Sequence, residues 1–282
     1  MTAVRVVTDS SSDLTDEQVS RYGIVVVPLT IRFGDEEFVD RQDLTPQQFW
    51  AKVAASSTLP ETAAPSPGAF ETSFRQAAAD GCPGVVCICL SSALSATYAS
   101  AVLAAKTVAN VIDVRVVDSL SITSGLGTMA TAAAVAAANG ATLDVVEEAA
   151  SANIGHTKVL AALDTLDNLK KGGRIGGAQA FLGTLLSIKP LIDVSSGSVV
   201  EAGKQRTRAR SLQALADLLK ADLAIGPIRE LSVRHGDAND VDAMLALLTP
   251  HIAREQISVG QIGAVIGAHG GPGVMGLTYV VS

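Results

Sequence analysis

The chain has 282 residues, of which 48% are hydrophobic and 17% charged, and its formal net charge is -7. This composition excludes a disordered chain, and the negative charge disfavours nucleic-acid binding because the phosphates would be repelled. No uninterrupted apolar run reaches the roughly 18–20 residues that a membrane-spanning helix needs, so no stable membrane insertion is expected.

Short apolar strands alternate with helical patterns along the first half of the chain. Apolar, β-branched runs predict strands over residues 4–7, 24–31, 85–90 and 114–117. Thr-x-x-Gln capping boxes predict helix starts at Thr15 and Thr45, and further helices are predicted from Pro67, from Thr97 and over residues 123–138. This alternation predicts a parallel α/β sheet over about the first 150 residues.

The second half mixes hairpins with helices. A glycine-rich basic stretch at 168–177 precedes predicted helices over 181–188 and 208–221. Predicted strands cover 191–194 and 198–201, which form a hairpin, and then 231–233, 264–266 and 278–281. We therefore expect two domains, residues 1–157 and a smaller α+β domain of residues 158–282, with the segment near 60–80 able to pack against the second.

The amino-terminus and the cysteines favour a cytoplasmic location. The first residues become polar and acidic by Asp9 and lack the basic and then apolar pattern of a signal peptide. The cysteines, at positions 82, 87 and 89, do not have the spacing of a disulfide framework. Cys87 and Cys89 are expected to be small core residues of a buried strand.

Polar clusters follow several predicted strands, where ligands of open α/β sheets bind. They include Asp9-Ser10, Asp118-Ser119, His235-Gly236-Asp237, His269 and the loop over 91–97. That loop is rich in hydroxyl groups and leads into a helix, whose free amides favour an anion. Ser95 is expected either to cap this helix or to donate to a ligand.

Basic side chains mark two further segments. Arg174 stands among glycines, where its planar guanidinium could pair with a carboxylate, although a solvated basic turn is an equal alternative. Lys204, Arg206, Arg208 and Arg210 recur at every second position. They predict either a basic stripe for an acidic partner or an ordinary solvated face.

Common catalytic signatures are missing from the sequence. There is no Gly-x-Ser-x-Gly elbow, no phosphate loop ending in Gly-Lys-Ser/Thr, no His-Glu-x-x-His and no Gly-x-Gly-x-x-Gly after the first strand. No zinc-type cluster of cysteine and histidine is present, so no metal and no cofactor are expected.

Several blocks together resemble the DegV family of bacterial fatty-acid-binding proteins. They are Val-Thr-Asp-Ser-Ser-Ser-Asp-Leu at 7–14, Thr-Ala-Ala-Pro-Ser-Pro at 62–67, Leu-Ser-Ser-Ala-Leu-Ser-Ala-Thr-Tyr at 90–98, Leu-Asp-Asn-Leu-Lys-Lys-Gly-Gly-Arg-Ile at 166–175, His-Gly-Asp-Ala at 235–238 and His-Gly-Gly-Pro-Gly at 269–273. Each block alone is weak, but their order and spacing are specific, and they run through nearly the whole chain.

The resemblance implies an α/β fold with a parallel α/β/α domain, a smaller α+β domain and a lipid between them. It implies that Thr62, Ser95 and His269 hold the carboxylate, with Arg174 near it, and it assigns Arg206 to docking of a kinase. Ala63 and Ala64 replace the usual Ser-Gln, and Ala93 and Ala96 stand where the family prefers glycine. If glycine there serves a positive φ, alanine would strain the loop.

The expected function is therefore binding rather than catalysis. The resemblance implies that a long-chain fatty acid such as palmitate is presented to a separate fatty acid kinase, which phosphorylates the carboxylate to an acyl phosphate. Two alternatives stay open: a lipid transport or sensing protein without a kinase partner, and a small-molecule transferase or kinase that uses the same anion site.

Overall fold

The computed structural model describes residues 3–181 and 188–282, with the side chain of residue 181 left aside. The strands are β1 (Arg5–Asp9), β2 (Val25–Val27), β3 (Thr30–Phe33), β4 (Glu36–Val39), β5 (Glu61–Ala63), β6 (Val85–Cys89), β7 (Val114–Asp118), β8 (Thr157–Ala162), β9 (Lys189–Asp193), β10 (Val200–Gln205), β11 (Ile228–His235), β12 (Ser258–Gln261) and β13 (Met275–Val281). The α-helices are α1 (Asp16–Tyr22), α2 (Pro46–Ala55), α3 (Pro67–Ala79), α4 (Thr97–Thr107), α5 (Thr123–Ala138), α6 (Leu143–Ser151), α7 (Asp167–Lys171), α8 (Arg208–Ile225), α9 (Val241–Leu248) and α10 (Ala264–Gly270).

A parallel sheet organises the first half of the chain. Its strand order is β2-β1-β6-β7, and every neighbouring pair is parallel. The central strand β6 is buried along its whole length, as expected of a strand covered on both faces. Val86 and Ile88 pack against α5 and α6, whereas Val85 and Cys87 pack against α3 and α4. The result is the predicted α/β/α arrangement.

A second sheet of six strands, in the order β10-β9-β8-β13-β11-β12, organises the rest of the chain. Of its neighbouring pairs, β11 and β12 are parallel and the others are antiparallel. One face carries Leu160, Leu191 and Tyr279 against α8 and α9. The opposite face carries Val159 and Ile192 and is turned towards α10 and the first half of the chain. The α/β fold with a parallel sheet and a second sheet domain confirms the predicted class.

A small antiparallel sheet, β4-β3-β5, links the two halves. Its Phe33 and the α2 residues Phe49 and Trp50 belong to the same apolar cluster as Val159 of β8. The Trp50 indole donates to the carbonyl of Ile262 at 2.9 Å. The segment 60–80 is divided: β5 lies beside α10, while α3 packs on the parallel sheet. The division into residues 1–157 and 158–282 stays a prediction.

Helix starts follow the local sequence closely. Thr15 and Thr45 each form a complete capping box with the glutamine three residues later. Ser66 accepts a hydrogen bond from Ala69 N, with Pro67 at the first helical position. These caps confirm the predicted starts of α1, α2 and α3. No helix among the described residues has the length and apolar character needed to cross a membrane.

Some predicted elements were wrong. The run at 24–31 is two strands of different sheets, β2 and β3, separated at Pro28, which cannot donate a ladder hydrogen bond. Residues 264–266 begin α10 instead of forming a strand, because a short apolar run fits a buried helix equally well. The helix predicted over 208–221 continues to Ile225. The helix predicted over 181–188 falls mostly outside the described residues.

Candidate functional site

An apolar cavity lies between the second sheet and the elements of the first half that face it. Its walls come from β8, β9 and β13, from α10, and from the loops that follow β2, β6 and β7. The apolar lining residues are Leu29, Leu90, Leu94, Ile122, Val159, Leu160, Ala161, Leu163, Leu169, Ile192, Val194, Val199, Ile262, Val265, Ile266 and Val274. Including the part open at its mouth, the empty volume is about 850 Å³.

Four polar side chains that the sequence singled out line this cavity. Thr62 comes from β5, Ser95 from the loop before α4, Arg174 from the turn after α7, and His269 from the last turn of α10. The structure therefore brings together residues that are far apart in the sequence. Their role in binding a carboxylate stays a prediction.

Thr62 and His269 are in direct contact. The Thr62 hydroxyl and Nε2 of His269 are 2.9 Å apart, with the donor set by the imidazole tautomer. Nδ1 of His269 is buried and has no hydrogen-bond partner among the described residues. The ring packs against Gly172, where a Cβ would overlap Nδ1. Glycine at this position is what allows the turn after α7 to lie so close to the imidazole.

Burial keeps His269 neutral. Burial, together with the smaller effect of the positive charge of Arg174, lowers the pKa of the imidazole from 6.5 to about 4. At pH 7 the ring therefore carries a single N–H, which can serve one acceptor at a time. His269 can orient an anion by a hydrogen bond, but the positive charge at this end of the cavity comes from Arg174.

Backbone carbonyls hold Arg174 in place. Its Nε donates to the carbonyl of Leu94 at 3.0 Å, and its Nη1 donates to the carbonyl of Gly172 at 2.6 Å. The first bond ties the turn after α7 to the loop before α4, and thus joins the two halves of the chain. The alternative of a solvated basic turn is wrong, because Arg174 lines the cavity and is anchored there.

Ser95 takes part in the start of α4 and also faces the cavity. Its hydroxyl oxygen accepts from Thr97 N at 3.2 Å and lies 2.8 Å from the Thr97 hydroxyl. The residue at the N-cap itself is Ala96, with a φ of -74°. Neither Ala93 nor Ala96 has a positive φ. The strain considered for alanine in this loop is therefore absent.

The remaining candidates lie elsewhere. Arg206 is exposed between β10 and α8 and does not line the cavity. Arg208 forms an ion pair with Asp240 at 2.7 Å, so this part of the basic stripe is structural. His235 ends β11 as predicted but also lies outside the cavity lining. His269 was expected at the end of a strand and lies instead on a helix.

Sequence reasoning missed Arg234 and Thr123, which also line the cavity. Thr123 donates to the buried carboxylate of Asp13 at 2.5 Å, and Asp13 accepts as well from Gly263 N at the start of α10. Asp13, which holds Thr123, stands in the block at 7–14 that carries the family resemblance, so the sequence did contain a signal for this contact. Arg234 had no signal beyond its place beside His235, directly after the strand predicted over residues 231–233.

Comparisons with known proteins agree on one family. The model of an uncharacterised protein family, DegV, matches residues 3–282. A DegV domain-containing protein of Streptomyces coelicolor is 36% identical over 278 residues, covering 97% of this chain and 97% of the relative. The chain is also similar to a DegV domain-containing protein of Clostridium perfringens, at 31% identity over 280 residues, with 98% of each chain covered.

Solved structures give the same result. A fatty-acid-binding DegV family protein from Thermus thermophilus superposes with a TM-score of 0.88 at 33% identity, covering 99% of this chain and 100% of that one. DegV from Bacillus subtilis, a fatty acid binding protein, superposes with a TM-score of 0.86 at 27% identity, with both chains fully covered at 100%.

Proposed function

The chain belongs to the DegV family, and on this premise we propose that it binds a long-chain fatty acid. The acyl chain lies in the apolar cavity, and the carboxylate lies where Thr62, Ser95, Arg174 and His269 meet. The observation that carries the proposal is this pairing of an extensive apolar wall with a small polar group at one place on it. The fatty-acid-binding relatives with the same fold support it.

The apolar wall accounts for affinity. Each methylene that moves from water into such a cavity contributes roughly 0.8 kcal/mol, so a long chain gains far more than a short one. Leucine, isoleucine and valine side chains from both halves of the molecule form the wall. The bound chain therefore also contributes to holding the two sheets together.

The polar group accounts for recognition of the carboxylate. A charged carboxylate cannot be buried alone, because the loss of hydration is costly without a partner. Arg174 supplies the opposite charge, while the hydroxyls of Thr62 and Ser95 and the neutral ring of His269 supply hydrogen bonds. These donors suit one small anionic head group.

We further propose that the bound acid is presented to a separate kinase in the cytoplasm. A carboxylate oxygen would attack the terminal phosphoryl group of the kinase's nucleotide, forming an acyl phosphate and releasing the nucleoside diphosphate. The cavity residues offer binding groups and no activated nucleophile, so catalysis is assigned to the partner. Exposed Arg206 is the proposed docking residue, and palmitate is a representative ligand.

Native mass spectrometry of the purified chain tests lipid binding. We expect a mass increment that denaturation releases as a fatty acid of about sixteen to eighteen carbons, in line with the gain per methylene. Protein stripped of lipid should take up added palmitate at one equivalent and should not take up hexanoate at the same concentration. A chain that is isolated empty and takes up neither acid would refute the proposal.

A further inference from the structure

A second, polar cleft lies between the two halves of the molecule, separate from the head-group residues. Including the part open to solvent, its empty volume is about 1450 Å³, and α5 with the segment after β1 faces β11 and β12 across it. Hydroxyl and amide side chains dominate the lining, among them Ser12, Gln18, Thr131, Asn153, Ser232 and Ser258. Among the described residues, Arg234 is the only one that it shares with the lining of the apolar cavity described above, which is called the acyl cavity from here on.

Arg234 is buried at the base of this cleft with no ion-pair partner. Its exposed fraction is 7%, and its Nε donates to the hydroxyl of Ser124. Among the described residues, no carboxylate oxygen lies within 4.0 Å of its guanidinium, and its two terminal nitrogens donate to no protein atom. Asp13 acts on it from a longer distance, but both Asp13 oxygens already accept hydrogen bonds from Thr123 and Gly263.

The guanidinium extends towards β12 and towards Ser124, which lines the cleft. Arg234 is opposite Gly260 in the parallel pair of β11 and β12, and a Cβ on Gly260 would overlap its Nη1. The charged end therefore lies over β12, whose first residue Ser258 lines the cleft, whereas the acyl cavity lies over β8 and β13. Glycine at position 260 leaves the space that the guanidinium occupies.

A second unpartnered group lines the same cleft. Ser12 has an exposed fraction of 1%, and its hydroxyl has no hydrogen-bond partner among the described residues. The buried Ser12 hydroxyl is costly unless a ligand or water completes its hydrogen bonds, and the terminal nitrogens of Arg234, which no protein acceptor engages among the described residues, can donate to a ligand in the cleft. A guanidinium binds carboxylate and phosphate groups through paired N–H donors.

We propose that this cleft is a second binding site, which takes the oxyanion group, phosphate or carboxylate, of a small polar molecule on Arg234. Three acidic side chains line the cleft. Asp13 is buried, and its oxygens accept hydrogen bonds from Thr123 and Gly263, whereas Glu230 and Glu255 are exposed at the rim together with Arg229. The two glutamates are therefore solvated, whereas Arg234 is the buried cation on the lining. Because Arg234 borders both cavities, an anion bound here changes the affinity for a ligand in the acyl cavity, and the reverse holds equally.

The test is a calorimetric titration of the full chain with inorganic phosphate and, separately, with acetate, at an ionic strength kept constant with chloride. We expect saturable binding of at least one of them, and the anion that binds identifies the group. Arg234→Gln should weaken binding at least about tenfold, since it removes charge-assisted hydrogen bonds. Arg75→Gln, at an exposed ion pair on α3, is the charge-matched control and should bind as the wild type does.

A second variant keeps the test decisive if Arg234→Gln does not fold. Thr131→Trp fills the cleft from α5, at a position that lines the cleft and not the acyl cavity. It should abolish anion binding and leave fatty acid uptake intact. The proposal is overturned if the wild type binds neither anion saturably, or if the folded variants bind as tightly as the wild type. Fatty acid uptake is measured on the same samples, so failure of this site and failure of the lipid site are told apart.

Discussion

Thr62 and His269, which are 207 residues apart in the sequence, are joined by a contact of 2.9 Å between the threonine hydroxyl and the imidazole Nε2. The contact fixes β5 against the last turn of α10 at the polar end of the acyl cavity. If the Nε2–H tautomer of His269 donates to the Thr62 oxygen, the Thr62 hydroxyl proton is left for the carboxylate of the proposed ligand. The pair would then act as a prearranged donor set, assembled from both halves of the chain.

The neutral state of His269 predicts how its replacements behave. His269→Gln keeps an uncharged donor and should retain fatty acid affinity within about threefold, whereas His269→Ala should lose about tenfold, the value of one hydrogen bond to a charged group. A fluorescent fatty acid displacement titration at pH 7 measures both. An equal loss in the two variants would show that the charge or the shape of the ring matters instead.

Ser95 is predicted to contribute through its hydroxyl. Ser95→Ala removes the donor and should weaken palmitate binding about fivefold to tenfold. Ser92→Ala, an exposed position in the same loop, is the matched control and should bind as the wild type does. The fluorescent fatty acid displacement titration measures the affinity of both variants. Equal affinities in the two variants would remove Ser95 from the head-group site.

Gly276 offers a way to block the acyl cavity without touching the head-group residues. It lines the cavity on β13, and a Cβ there would make only ordinary contacts of 3.5 Å with two backbone oxygens. Gly276→Leu should fold, fill the cavity and abolish uptake of palmitate, as read by native mass spectrometry. Gly68→Leu, the same change at an exposed position on α3, should leave uptake unchanged. Full uptake by Gly276→Leu would place the acyl chain elsewhere.

Asp40 predicts a pH dependence of stability. Burial raises the pKa of its carboxyl from 3.8 to about 7, so the folded state keeps a proton that the unfolded state releases between these values. The contribution of this proton to the free energy of unfolding is fully present below pH 3.8 and is lost as the pH rises to about 7. Asp40→Asn avoids the loss and should be more stable than the wild type at pH 8, on the order of 2 kcal/mol.

Urea unfolding at pH 8 and pH 5 measures this difference. The advantage of Asp40→Asn should shrink at the lower pH, where the wild-type carboxyl is protonated in the folded state. Asp35→Asn, at an exposed position, is the control and should show no such trend. A constant difference between Asp40→Asn and the wild type at both pH values would contradict the assigned cause.

Replacement of Arg206 distinguishes a protein that presents its lipid to a kinase from one that only transports lipid. Arg206→Glu reverses the charge at an exposed residue outside the cavity, so palmitate binding should not change. If the proposed kinase partner docks through this residue, acyl phosphate formation by that kinase should fall at least about tenfold, as expected when a contact charge is reversed. Arg210→Glu, also exposed, is the matched control. Unchanged turnover with Arg206→Glu would favour a lipid carrier that does not dock through this face.

Local signals predicted much of the fold. The capping boxes at Thr15 and Thr45 and the bounds of α5 depend on neighbours within a few residues, and these predictions are confirmed. Residues 264–266 were misjudged because a short apolar run has no period long enough to separate a strand from a helix. The division of the run at 24–31 into β2 and β3 at Pro28 could not be predicted, because the sheet that each strand joins is decided by partner strands that are distant in the sequence.

The polar end of the cavity was predicted from motifs, but its contacts were not. Nothing in the spacing of Arg174 shows that it donates to the carbonyl of Leu94 across the boundary between the two halves. Arg234 was missed for a similar reason. Its burial results from packing of β11 against α5, whereas in the sequence it resembles any arginine of a strand edge.

The insertion of Trp50 and Phe49 into the cluster around β8 has a consequence for dissection of the chain. A cut at residues 157/158 would leave these aromatic rings on one fragment and the surface that covers them on the other. Neither piece would be a self-sufficient module, and each would aggregate when expressed alone. Co-expressed pieces should instead reassemble, and a ligand bound in the cavity between them would favour the assembled form, which makes this chain a candidate for a ligand-dependent split reporter.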